Sequence, residues 1–210
     1  MLRKGRWILF AALAISIGLY PILYFILDRK FGLLSSKNDV LLANIFWNTA
    51  FYIHIVTGGL AMLIGWIQFS TRIRNANLTL HKQVGKIYVI SALFGGLSGI
   101  YIGFYATGGL IPSLGFVGLG IVWFLSTLDA YLKIKNGNIT GHEIMMIYSY
   151  AACFAAVTLR IWLPLLIILF GDFIVAYSIV AWLCWVPNIV VAYLITRTKL
   201  KKVISIRMNP

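Results

Sequence analysis

The chain has 210 residues, 61% hydrophobic and only 11% charged, against roughly 45–50% apolar and about 25% charged in soluble domains. That balance excludes a soluble globular protein, and no stretch has the composition of a separate soluble unit, so residues 1–210 read as one integral membrane domain. A net charge of +13 raises nucleic acid as a partner, but the placement of the charges reads as a membrane-topology signal instead, and no nucleic-acid partner is expected.

The first apolar run, Trp7–Ile26, follows Arg3, Lys4 and Arg6. It lasts about 20 residues, longer than the roughly 7–15 of a signal peptide, and no clear small-residue cleavage site follows, so the pattern predicts a retained first span. Further runs predict spans at Leu42–Phe69, Tyr88–Ala106, Ile111–Leu132, Met145–Phe170 and Phe173–Ile195. These runs are apolar on both faces, unlike the alternating strands of a β-barrel. Connectors at 35–39, 71–83 and 133–143 hold the polar and turn-forming residues. The expected fold is an all-α, polytopic membrane helix bundle of about six transmembrane helices, with the lipid bilayer as its partner.

Charge placement predicts the threading. Arg3, Lys4, Arg6, Arg72, Arg74, Lys82, Lys86, Lys133, Lys135, Arg197, Lys199, Lys201, Lys202 and Arg207 fall on one side, and Arg29, Lys30 and Lys37 on the other. The positive-inside rule then predicts that both termini are cytoplasmic, which an even number of spans also requires. Cys153 and Cys184 lie within spans, where packing is their default role.

Ionisable groups at membrane depth are costly and mark functional sites, and His54 and Arg160 are the clearest here. His54 lies about 22 Å from the cytoplasmic end of the second span and Arg160 about 25 Å along the fifth, at 1.5 Å per residue. Both therefore reach the outer half. On the second span His54, Gly58, Ala61 and Gly65 share one face, and on the fifth His142, Ser149, Cys153, Ala156 and Arg160 do. His81, Gly85, Tyr88, Ala92 and Gly99 repeat the pattern on the third. Close helix packing explains the small residues but neither the histidines nor the arginine. Pro164 removes the amide that would bond the Arg160 carbonyl, which predicts a bend there with room for water, an anion or a quinone carbonyl. The competing placement has Arg160 snorkelling to the outer headgroups.

The candidate ligand-binding residues are therefore His54, Gly58, Ser149 and Arg160. His81 and His142 sit near the cytoplasmic boundary and are candidate metal or haem ligands, with Asp129 and Glu143 in reach. The competing reading makes them helix-start residues, His142 within a Thr140–Glu143 capping box.

The segments "HIVTGGLAMLIGWIQFSTRIR", "HKQVGKIY" and "GHEIMMIYSYAACFAAVTLRIWLP" resemble the bacterial domain-of-unknown-function 2306 family of predicted membrane proteins. Gln68 and Phe69 match a first block of that family, His81, Gly85, Lys86 and Tyr88 a second, and His142, Met145, Thr158, Leu159 and Arg160 a third, over residues 45–165. Lys82 and Lys86 stand where the pattern has arginine and Ile144 where it has tryptophan. The resemblance implies a bacterial plasma (inner) membrane and groups the three histidines with Arg160, and it implies no activity.

Two function classes follow. One is a redox or cofactor-binding membrane protein holding haem, a metal or a quinone, with a small lipophilic ligand near His54 and Arg160. The other is a small-molecule or proton transporter, or a membrane scaffold without catalysis. A zinc-dependent intramembrane hydrolase ranks last, because straight helices separate His54 from His81 and His142 by about 20 Å. The sequence leaves open whether the protein is an enzyme.

Overall fold

The computed structural model describes residues 2–208, with side chains described from 4 to 199. Among these residues every regular element is helical. Six helical segments are long and apolar enough to cross a bilayer: Lys4–Ile26, Ile45–Phe69, Leu78–Gly103, Leu110–Lys135, Ile139–Phe170 and Phe173–Lys199. The protein is thus a multi-pass membrane helix bundle with the six expected spans. The ends moved where polar residues carry a helix past its apolar core. The third span begins at Leu78 rather than Tyr88, and the fourth continues to Lys135, where Lys133 pairs with Asp129 at 2.7 Å one turn away.

Helix starts are fixed by side-chain oxygens that accept the backbone N–H groups left unpaired in a first turn. Asn44 accepts from Trp47, Asn77 from Leu80, Asn138 from Gly141 and Asp172 from Val175. The expected capping box is therefore corrected. Asn138 caps the fifth span, Thr140 lies inside the helix, and Glu143 instead pairs with Arg74 at 2.7 Å and with Lys199.

That carboxylate ties the connector after the second span to the fifth and sixth, so these parts share one end of the bundle. At the opposite end, Lys37 donates to the Tyr105 carbonyl and to the Thr107 hydroxyl, joining the 27–44 connector to the turn after the third span. Large apolar side chains such as Ile168 and Leu169 face outward, as lipid contact requires, while small Ala61, Ala92, Ala130 and Ala152 are buried between helices.

The fifth span is interrupted at Phe154, between helices Ile139–Cys153 and Ala155–Phe170, and the latter runs unbroken through Pro164. The sixth is interrupted between Leu183 and Val186, just before Pro187, whose missing amide deprives the Leu183 carbonyl of its helical partner. The two interruptions are stitched together. Thr158 donates to the Cys184 carbonyl, and Asn188 Nδ2 reaches the carbonyls of Cys184 at 3.0 Å and Ala151 at 3.3 Å. Side-chain partners of this kind make broken backbone tolerable at membrane depth.

Candidate functional site

The glycines of the second and third spans are where rings enter. A methyl group added at Gly65 would lie 2.6 Å from Tyr150 Cδ2 and 2.8 Å from Tyr88 Cε2, and one at Gly95 would lie 2.8 Å from Trp123 Cη2. His54 uses the same kind of slot. Its Nδ1 is 2.8 Å from the Gly95 carbonyl, and a methyl at Gly99 would meet Nδ1 and Cε1 at 3.0 Å. A carbonyl only accepts, so Nδ1 carries the proton and donates, which leaves Nε2 without a protein partner. The imidazole is therefore oriented by its backbone bond and keeps one nitrogen free.

His54 lines a cavity of about 220 Å³ in the half of the bundle away from the termini. All six spans contribute to its wall, and Leu33, Leu34 and Lys37 of the 27–44 connector add to it. Gly58 and Arg160 line the same space. Arg160 is held by two contacts. Its Nη1 donates to the Ala156 carbonyl at 2.9 Å, and its guanidinium carbon sits 4.0 Å above the Tyr20 ring. This is the interior placement rather than snorkelling. No hydrogen bond joins Arg160 to His54 directly, and four buried donors among the described residues have no acceptor: Arg160 Nε, Trp47 Nε1 and Trp123 Nε1, whose residues line the cavity, and Trp66 Nε1, whose residue does not. Trp47 is only 2% exposed and also lines the cavity. Buried donors without partners cost free energy, so their concentration at one cavity points to an absent acceptor.

Ser149 goes elsewhere. Its hydroxyl lies 2.8 Å from that of Tyr88 and 2.6 Å from that of Thr127, and Thr127 also donates to the Trp123 carbonyl at 2.7 Å. All three side chains are fully buried. The group is a closed cross-link between the third, fourth and fifth spans and does not line the cavity.

His81 and His142 are at the end that carries the termini, within electrostatic reach of each other and of Arg74 and Glu143. His142 Nδ1 is bonded to the Ala130 carbonyl at 2.9 Å. Among the described residues, no three or more His, Cys, Asp or Glu side chains gather as a metal would require, whereas structural zinc takes four ligands. Haem does not fit the cavity either. Its volume lies below the roughly 300–1,000 Å³ of ordinary cofactor pockets and suits a headgroup rather than a macrocycle.

Sequence reasoning missed Lys37, Trp47 and Tyr20. In the sequence Lys37 reads only as an external charge. Trp47 and Tyr20 look like ordinary interfacial aromatics, and only the fold brings them to Arg160 and the cavity.

A family model described as predicted membrane protein (DUF2306) matches residues 51–196. The chain belongs to the domain-of-unknown-function 2306 family. Comparison with curated proteins and with solved structures returns no match. The DUF2306 region contains His54, Gly58, Ser149, Arg160 and both terminal-end histidines, while Tyr24, Lys37 and Trp47 on the cavity wall and Tyr20 against Arg160 precede it.

Proposed function

We propose that this DUF2306 protein binds a small lipophilic ligand through an oxygen-bearing headgroup, of the quinone kind, in the cavity walled by His54, Gly58 and Arg160. The observation that carries this reading is the unpaired Nε of the Arg160 guanidinium, in a mostly apolar cavity that also holds His54 and Lys37. A headgroup carbonyl supplies the acceptor that Arg160 and Trp47 lack, and His54 Nε2 meets the headgroup's hydroxyl when it is reduced. The apolar walls accept a lipid-soluble body, which enters from the bilayer.

The reading places the protein in a bacterial plasma membrane with both termini cytoplasmic, since basic residues crowd the end that carries them. Reporter fusions test the threading: those after Lys37 and near Gly109 are expected to read as external, and those after Arg74 and Lys135 as cytoplasmic. A cytoplasmic signal at Lys37 would reverse it. For the ligand, menadione, a short neutral quinone, is titrated against the fluorescence of the cavity tryptophans. Saturable quenching that is lost in Arg160→Leu supports the reading, and quenching that is unsaturable or equal in both proteins refutes it.

A further inference from the structure

The cavity holds two cationic side chains and no carboxylate. Arg160 comes from the fifth span and Lys37 from the 27–44 connector. The chain has five acidic residues, and each is engaged elsewhere. Asp39 pairs with Lys30, Glu143 with Arg74 and Lys199, and Asp129 with Lys133. Asp28 accepts from the Lys30 amide, and Asp172 caps the sixth span. What the two cations do have is neutral. Arg160 has the Ala156 carbonyl and the Tyr20 ring; Lys37 has the Tyr105 carbonyl and the Thr107 hydroxyl. A cation withdrawn from water without a counter-charge is unfavourable, and two in one low-dielectric cavity also repel each other.

We infer that the ligand's headgroup carries an ionised oxygen, held between Lys37 and Arg160, so that the site selects an acidic lipophilic compound over a neutral one of the same shape. The inference rests on the lipophilic-ligand reading above and narrows its ligand class. One anionic oxygen offsets the repulsion between the cations and accepts from Arg160 Nε, Lys37 Nζ and Trp47 Nε1. These donors come from three separate parts of the fold and make a charge-assisted site.

Lys37 also makes the selection depend on pH. Burial lowers its amine from 10.5 to about 8, so the empty site carries this charge only below about that pH. The other titratable groups facing the cavity are Tyr24 from the first span, His54 from the second, Cys153 and Arg160 from the fifth and Tyr177 from the sixth. None of them supplies a negative counter-charge at neutral pH.

Two naphthoquinones of similar size separate charge from shape: lawsone, whose hydroxyl is ionised at neutral pH, and menadione, which is neutral. Binding of each to the purified full-length protein is followed by quenching of tryptophan fluorescence. Lawsone is expected to bind about tenfold tighter than menadione at pH 7, as a charge-assisted bond implies, and the ratio is expected to fall as pH rises through 8. Lys37→Met is expected to collapse the ratio and flatten its pH dependence, while Lys30→Met, whose exposed amine pairs with Asp39 outside the cavity, keeps the wild-type ratio. Decanoate is the third probe. Its competition with lawsone supports the anionic headgroup and shows the quinone ring to be dispensable. Equal affinities for lawsone and menadione, or a ratio unchanged in Lys37→Met, overturn the inference and leave the lipophilic-ligand reading standing. Failure of lawsone, menadione and decanoate alike to bind overturns both.

Discussion

The two halves of the bundle treat buried polar groups differently. Toward the termini, Tyr88, Ser149 and Thr127 join their hydroxyls in a closed, solvent-free group. Around the cavity, Arg160 Nε, Trp47 Nε1 and Trp123 Nε1 lack acceptors and His54 keeps a free nitrogen, whereas toward the termini the lone Trp66 indole is unpaired away from that cavity. The difference separates scaffold from site. A polar network with every member satisfied rigidifies a fold, and donors left unpaired at a cavity wait for something the protein does not supply.

If the contrast holds, substitutions in the two halves have opposite signatures. The largest effect is expected from Arg160→Leu, which removes the central cation. Affinity for the quinone probe should fall by about two orders of magnitude, in line with truncating one partner of a buried charged contact, while thermal stability in detergent stays level or rises because a costly group has left the span. Ser149→Ala is the mirror image. It leaves the Tyr88 hydroxyl without its partner, so stability should drop by about 1–3 kcal/mol, with probe affinity unchanged. Loss of binding in Ser149→Ala at intact stability would merge the two halves into one site and break the comparison.

The sequence showed the spans and the depth of the site but not its partners. Runs of apolar residues located six helices, and counting residues along the second and fifth spans placed His54 and Arg160 in one half, because helical rise is fixed. Helical periodicity also put Ser149 and Arg160 on one face. It could not show that neighbouring helices would enclose Ser149 with Tyr88 and Thr127 while leaving Arg160 beside a void, since that depends on which rings fill the glycine slots. The break at Phe154 was equally hidden. No proline marks it, and its partner Asn188 lies in another span. Lys37 escaped notice because a lysine in a polar connector is ordinary until the fold places it against the turn after the third span.

Smaller effects sharpen the contrast. Gly99→Ala puts a methyl 3.0 Å from His54 Nδ1, a tight approach that shifts the ring against its Gly95 bond. Probe affinity should fall about threefold, a fraction of the net worth of one hydrogen bond, and calorimetric titration would detect it. A separate prediction concerns stability against pH. Because burial lowers the Lys37 amine from 10.5 to about 8 in the folded protein, the unfolded chain binds more protons between those values, so the stability of the ligand-free protein should rise as pH increases from 8 to 10.5. Lys37→Met should remove that rise, as melting curves across the range would report.

The central claim is that the cavity between His54 and Arg160 holds a lipophilic ligand. Its most direct test is organic extraction of wild-type, Arg160→Leu and Ser149→Ala proteins purified side by side from membranes, followed by mass spectrometry of the lipid-soluble fraction. A single compound retained by wild type and Ser149→Ala and lost from Arg160→Leu is the predicted result; a lipid-soluble fraction identical in all three proteins contradicts it.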